Sequence, residues 1–335
     1  MTDDNSAISR IGILGGGAWG PALAMAAAAA GRDVILWARN PAVVEAVNNG
    51  HVNPLYLPDI ELDPTIHATG RLDEAAQADA LLLAVPAQHL RSVATDLAAV
   101  ATPDPPLVIC CKGIEQGTGA TMSAVLDATL PDNPQAVLSG PTFAIEVARG
   151  LPTAVTLAAS DPAIGQRLID ALGRPEFRPY YSADPRGAEL GGAVKNVLAI
   201  ACGIVEGRAL GDNARAALIS RGLAELLRLG RHLKVTSESL MGLAGLGDLV
   251  LTCTSGTSRN YSLGVELGRG RALEEILNER RSIAEGVWTA DALHGLARQH
   301  GIDMPIVHAV QRLLHEGDGL DQVIGGLLTR SFKSE

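Results

Sequence analysis

Aromatic residues are scarce in this sequence. Three Phe, four Tyr and three Trp make up 3 % of 335 residues, too few for a surface on which nucleic-acid bases stack. A basic excess is also missing. Lysine and arginine number 27 against 37 aspartates and glutamates, a formal net charge of −10. That balance disfavours general binding to a phosphate backbone and leaves room only for a local basic pocket. The four cysteines, Cys110, Cys111, Cys202 and Cys253, show no CxxC spacing and read as incidental thiols in a reducing compartment. The eight histidines form no HExxH pair, and His294 and His300 are spaced poorly for one helix face, so no metal site is expected. Residues 22–30 are apolar but far too short to span a membrane. Residues 1–10 are polar and acidic, without the basic start of a signal peptide. The expectation is a soluble, cytoplasmic protein with no nucleic-acid partner, no membrane insertion and no metal.

What is present is ample apolar material. Hydrophobic residues are 47 % and charged residues 19 %, and the length suggests about two domains with real cores. In the first half short apolar runs alternate with helical stretches. Residues 11–14, 34–37, 80–85, 107–110, 136–138, 153–158 and 177–180 read as strands. Residues 18–30, 41–48, 87–100 and 121–130 read as helices, the first stopped by Gly31 and the second opened by Pro41. This alternation predicts a mostly parallel sheet with helices on both faces, a Rossmann-like α/β domain over residues 1–185. Residues 189–205, 214–229, 272–279, 281–300 and 305–315 carry helical periodicity with almost no strand. They predict an all-α domain over residues 186–335.

Four motifs carry chemistry. Gly15, Gly17 and Gly20 form a GxGxxG between a strand and a helix. Gly15 suits the tight turn, Gly17 the approach of a pyrophosphate and Gly20 close packing of helix on strand. The helix then offers free N–H groups and its positive end to phosphates. The second strand ends Leu36-Trp37-Ala38-Arg39-Asn40 with no acid to hold a ribose 2′-hydroxyl. Arg39 either faces a 2′-phosphate, favouring NADP or dual use, or is a solvated surface arginine. Gly140-Pro141-Thr142-Phe143-Ala144 follows a strand and is a turn that can present N–H groups and a hydroxyl at the sheet edge. Lys195 stands among apolar residues and must snorkel or be buried; buried, its pKa falls and it becomes a usable acid or base. Gly191 and Gly192, one turn earlier, suit something packing close to that face. Glycines 242, 245 and 247 surround Asp248 with irregular or closely packed backbone, and Ser258-Arg259-Asn260 opens a helix as a capped phosphate site or an ordinary cap.

The ordered motifs GGGAWG, CCKGIE (residues 110–115), SGPTFA (139–144), LGGAVKNVLAI (190–200), GLAGLGDLVLTC (242–253) and SRN resemble those of bacterial NAD(P)-dependent glycerol-3-phosphate dehydrogenase. The likeness spans about residues 11–314. It implies reversible reduction of dihydroxyacetone phosphate to sn-glycerol 3-phosphate with NADPH or NADH, feeding glycerophospholipid synthesis. It implies Lys195 as proton donor and acceptor. It implies substrate contacts from Lys112, Gly140, Thr142, Lys195, Asp248, Ser258, Arg259 and Asn260. It also implies cofactor contacts from Ala18, Trp19, Arg39, Lys112, Ala144, Arg259, Ile283 and Glu285, and it suggests a homodimer. Ala18 stands where the family often has Ser, and Ile283 where Val is common. Two other readings share some of these features. A two-domain 3-hydroxy-acid dehydrogenase has no use for Ser258-Arg259-Asn260, and a non-catalytic NADP sensor has no use for both Lys195 and Asp248.

Overall fold

The structure is a computed structural model and describes residues 7–102, 104–280 and 284–330. Ten strands are present among them: β1 (Arg10–Leu14), β2 (Asp33–Trp37), β3 (Val52–Asn53), β4 (Leu57–Glu61), β5 (His67–Thr69), β6 (Ala80–Leu83), β7 (Leu107–Ile109), β8 (Gln135–Ser139), β9 (Thr153–Ala159) and β10 (Phe177–Ser182). Eight form one sheet in the order β10-β9-β8-β7-β6-β1-β2-β5. Every pairing in it is parallel except β8 with β9. The chain winds from β1 outward through β2 to β5, then returns to β6 on the other side of β1. That reversal opens a crevice at the carboxyl ends of β1 and β6, the place where α/β sheets take ligands.

Alternate residues of the strands point to opposite faces, and each face has its own core. Ile11, Ile13, Leu82 and Val108 pack on one side with Ala22, Leu23 and Ala27 of the helix Trp19–Ala29. Leu14, Leu81, Leu83, Leu107 and Ile109 pack on the other with Leu90, Ala94 and Leu97 of the helix Leu90–Ala98. Burial on both faces is why these strands read as short continuous apolar runs.

Three helices begin alike, with an Asn or Asp cap followed by Pro. Asn40 accepts from the Ala42 N–H, Asp161 from Ala163 and Asp184 from Gly187. Pro in the first turn gives up an N–H that has no helical partner there. The third of these helices, Pro185–Gly207, is buried along nearly its whole length and is the axis of a separate helical core. Its mean hydropathy of 1.5 over 18 residues matches a membrane span, but that window is wholly buried inside protein. The helix Arg259–Gly268 crosses it at glycine pairs; a Cβ on Gly264 would lie 2.1 Å from the Ile200 carbonyl oxygen.

The expected strands are all present, within one or two residues of their predicted ends. Residues 57–61, expected as loop, pair with residues 52–53 in a small antiparallel ribbon. Pro58 and the left-handed Asp59 (φ 63°) disguise that strand in the sequence. The short helices Leu72–Ala75, Ala144–Ala148 and Ser237–Met241 were not expected either, nor were Pro162–Leu172 and Leu320–Leu328. The expected helix 281–300 is seen as Glu285–Gln299, its first residues lying outside the described ones.

Candidate active site

Three elements converge on one carboxylate. Asp248 opens the helix Asp248–Thr254 directly after a π-helical turn, Leu243–Gly247, and is fully buried. A Cβ on Gly245 would lie 1.9 Å from the Leu240 carbonyl oxygen, so this turn closes only on glycine. Lys195, from the long helix, donates to Asp248 Oδ1 at 2.7 Å and to Thr252 Oγ1 at 2.9 Å. Lys112 comes from the segment after β7 and donates to Asp248 Oδ2 at 2.6 Å and to the Gly140 carbonyl at 2.9 Å.

The two glycines of the long helix explain how the lysines meet. A Cβ on Gly191 would lie 2.5 Å from the Ala244 carbonyl, so the π-helical turn packs directly on that position. A Cβ on Gly192 would lie 3.2 Å from Cγ of Lys112, whose side chain passes there on its way to Asp248. Burial pushes the Lys195 ammonium down; Asp248 opposes this, Lys112 adds to it, and the pKa settles at about 8. Burial would raise the Asp248 carboxyl, but Lys112 and Lys195 outweigh it and hold it below the usual carboxylate range. Lys195 therefore stands close to its titration point near neutral pH, beside an ionised Asp248.

A chain of buried amides runs beside this cluster. The Gly286 N–H donates to Asn260 Oδ1 (2.9 Å), Asn260 Nδ2 to Asn196 Oδ1 (2.9 Å) and Asn196 Nδ2 to the Lys112 carbonyl (3.2 Å). Asn260 thus spends both ends of its amide inside the protein. Ser258 caps the helix Arg259–Gly268 by accepting from the Tyr261 N–H. Arg259, at the first helical position, is exposed, and its guanidinium has no bonded partner among the described residues. Gly140 takes a left-handed φ of 147° at the end of β8, and the Thr142 hydroxyl turns back to its carbonyl.

The glycine loop occupies the neighbouring part of the same edge. Gly15 has φ 136°, and a Cβ there would strike the Ala84 carbonyl at 2.6 Å. A Cβ on Gly20 would lie 1.8 Å from the Gly15 carbonyl, whereas one on Gly17 would meet nothing within 4 Å. The helix Trp19–Ala29 has neither a capping side chain nor an acidic residue in its first turn. Glu285 accepts from the Ala87 N–H at 3.2 Å with Oε1, while its buried Oε2 has no partner among the described residues. Burial pushes this carboxyl up, against the Ala87 N–H and the nearby Arg259. Trp19 Nε1 is likewise buried with no partner among the described residues. Arg39 is exposed just past β2, and Ala144 opens the helix Ala144–Ala148. Ile283 lies outside the described residues.

The match to families is in two parts. Residues 10–164 fit the model of the NAD-dependent glycerol-3-phosphate dehydrogenase N-terminus, and residues 184–325 that of its C-terminus. The chain belongs to this glycerol-3-phosphate dehydrogenase family. It is 55 % identical to glycerol-3-phosphate dehydrogenase [NAD(P)+] of Parvibaculum lavamentivorans, over 98 % of this chain and 99 % of that protein. It is 56 % identical to the protein of the same name in Rhodospirillum rubrum, over 99 % and 95 %. The crystal structure of the Coxiella burnetii glycerol-3-phosphate dehydrogenase superposes with a TM-score of 0.93 at 40 % identity, covering 96 % of this chain and 99 % of that one.

Within this dehydrogenase, sequence reasoning missed Thr252, Ser139 and Asn196. Thr252 lies four residues after Asp248, so the two share a helix face once the helix is known to start at Asp248. Asn196 was legible only as the neighbour of Lys195. The buried Ser139 hydroxyl has no partner among the described residues and lies beside Gly192; nothing in the sequence marks it. Among the described residues no group of three or more His, Cys, Asp or Glu side chains is placed to hold a metal.

Proposed function

We propose that this dehydrogenase interconverts dihydroxyacetone phosphate and sn-glycerol 3-phosphate, with Lys195 as the proton-transferring group. The observation that carries this is the buried Lys195–Asp248–Lys112 cluster, built beside the glycine loop of the same sheet edge. The residues there suit a nicotinamide dinucleotide. The space over Gly17 and the uncapped helix start can receive a pyrophosphate. The unpartnered Trp19 Nε1 and Glu285 Oε2 are the kind of buried atoms that a ligand satisfies. Ala18, Trp19, Arg39, Lys112, Ala144, Arg259, Ile283 and Glu285 would hold it, Arg39 facing a 2′-phosphate when NADPH is used. When bound, the nicotinamide supplies the hydride.

The protein's own part is charge and orientation. An ammonium has three N–H donors; Lys195 gives two to Asp248 and Thr252, and the third is left for the substrate oxygen. As charge develops on that oxygen during reduction, Lys195 stabilises and protonates it. In the oxidative direction its neutral amine takes the hydroxyl proton. Asp248 keeps the ammonium oriented and ties it to Lys112. Gly140 and Thr142 border the substrate, and Ser258, Arg259 and Asn260 bind its phosphate, whose binding energy positions the ketone. Asn260 acts with the hydrogen-bonding capacity left to it by Asn196 and Gly286.

In this reading residues 1–185 are the dinucleotide-binding domain and 186–335 the helical substrate and catalytic domain. The change from sheet to helices near this point, with β10 ending at Ser182 and the long helix starting at Pro185, supports that division. The enzyme works in the cytoplasm, as a homodimer, and its product feeds glycerophospholipid synthesis. The test is oxidation of NADPH and of NADH with dihydroxyacetone phosphate, dihydroxyacetone and a 3-keto acid in parallel. Turnover is expected with the phosphorylated ketone. Faster turnover of the 3-keto acid would replace the substrate assignment, and cofactor binding without turnover of any substrate would make the protein a sensor.

A further inference from the structure

We propose that Gln88 is a positioning residue for Lys112, acting through the segment that carries it; this rests on reading Lys112 as part of the active site. Between Ile109 and Met122 the chain forms neither helix nor strand. Yet Lys112 reaches a fixed place at Asp248, 136 residues away in sequence. A few backbone bonds hold the segment, from the Cys110 N–H to the Leu83 carbonyl and from the Glu115 N–H to the Ala120 carbonyl, and side chains supply the rest, among them Asn196 on the Lys112 carbonyl.

Gln88 supplies both halves of a clamp. Its Nε2 donates to the Ile114 carbonyl at 2.8 Å, and its Oε1 accepts from the Gln116 N–H at 2.9 Å. One amide thus occupies the backbone groups on either side of Glu115, as a neighbouring strand would. Arg91, three residues on, pairs with Glu115 through two hydrogen bonds of 2.7 and 2.8 Å. The single 3₁₀ turn Ala87–His89 that follows β6 and carries Gln88 also touches the segment directly: a Cβ on Gly113 would lie 2.7 Å from that of Ala87. The turn itself is anchored from the helical side, because the Ala87 N–H donates to Glu285. Gln88 therefore sits where the Lys112 segment, the turn after β6 and the Glu285 helix meet. Loss of its amide frees two adjacent backbone groups only two and four residues from Lys112. The bidentate Arg91–Glu115 pair, partly exposed on its arginine side, is a second restraint on the same segment.

The consequence is specific to Lys112. A lysine placed about 1 Å off can cost as much as 100-fold in rate. Its cation also helps to hold the Lys195 pKa down, so its withdrawal moves that pKa upward. A merely structural role for Gln88 would do neither in a way that depends on Lys112.

The test is a double-mutant cycle on kcat/KM for dihydroxyacetone phosphate, with Gln88→Ala and Lys112→Met alone and together. Gln88→Ala is expected to lower kcat/KM about 10- to 100-fold in the parent and by less than about twofold once Lys112 is gone. The pH at which glycerol 3-phosphate oxidation reaches half its maximum should also rise in Gln88→Ala. Equal losses on both backgrounds, or an unmoved pH profile, would overturn the proposal. If Lys112→Met alone keeps the parental kcat/KM, the assignment of Lys112 to the site fails, and the role of Gln88 with it. Should Gln88→Ala fail to fold, Gln88→Glu carries the same comparison, since it keeps the acceptor for Gln116 and loses the donor to Ile114.

Discussion

Asp248 gives one oxygen to each of two lysines, and this sharing sets the chemistry of the site. Taking each of these ions out of water costs several kcal/mol, and the second lysine leaves one positive charge unmatched by the single carboxylate. Two cations around one carboxylate are therefore costly to keep and poorly explained by stability alone. Arg259 is the opposite case, an exposed guanidinium with no bonded partner among the described residues, at a helix start. The helix dipole and the guanidinium can converge on one anion there. Arg259→Ala should cost about 2–5 kcal/mol in kcat/KM with dihydroxyacetone phosphate. With unphosphorylated dihydroxyacetone it should cost far less. Because Arg259 also belongs to the proposed cofactor set, the change in NADPH affinity is measured by fluorescence titration and divided out. An equal remaining penalty on both ketones would show that Arg259 does not read the phosphate.

At the scale of elements, the long helix Pro185–Gly207 and the helix Arg259–Gly268 cross with almost no side chain between them. Gly203 faces Gly264 and Gly207 faces Gly268; a Cβ on any of the four would come within 2.9 Å of the other helix's backbone. Gly264→Ala must push the helices apart, an overpacking that should cost about 1–3 kcal/mol. Thermal unfolding checks it, and an unchanged midpoint would show that the crossing yields freely. This crossing carries both Lys195 and the Ser258-Arg259-Asn260 corner, yet the glycines that make it were not legible as a pair. Close packing between helices distant in sequence leaves only scattered glycines behind. The strands were far easier to read, because burial on both faces turns each into an apolar run. Residues 57–61 escaped notice because Pro58, Asp59 and Glu61 remove the apolar alternation that marks a half-buried strand. The π-helical turn before Asp248 was foreshadowed by its three glycines, though not its form.

Over the whole molecule, the site exists only where the sheet and the helical core meet. Lys112 and Gly140 come from the sheet edge, Lys195 and Asp248 from the helical side. Lys195 was legible as a charge within a largely apolar helix, and Asp248 as an acid after a run of glycines. Thr252, Ser139 and Gln88 were not, because an ordinary polar residue declares a role only through what lies beside it in space. The central claim is that Lys195 moves the proton, and its most direct measurement is the turnover of Lys195→Met with dihydroxyacetone phosphate and saturating NADPH. Methionine keeps the length and apolar packing and removes the charge. The account predicts a fall in kcat of about 10²–10⁴, while NADPH binding, followed by fluorescence, survives. A variant turning over within threefold of the parent would contradict it.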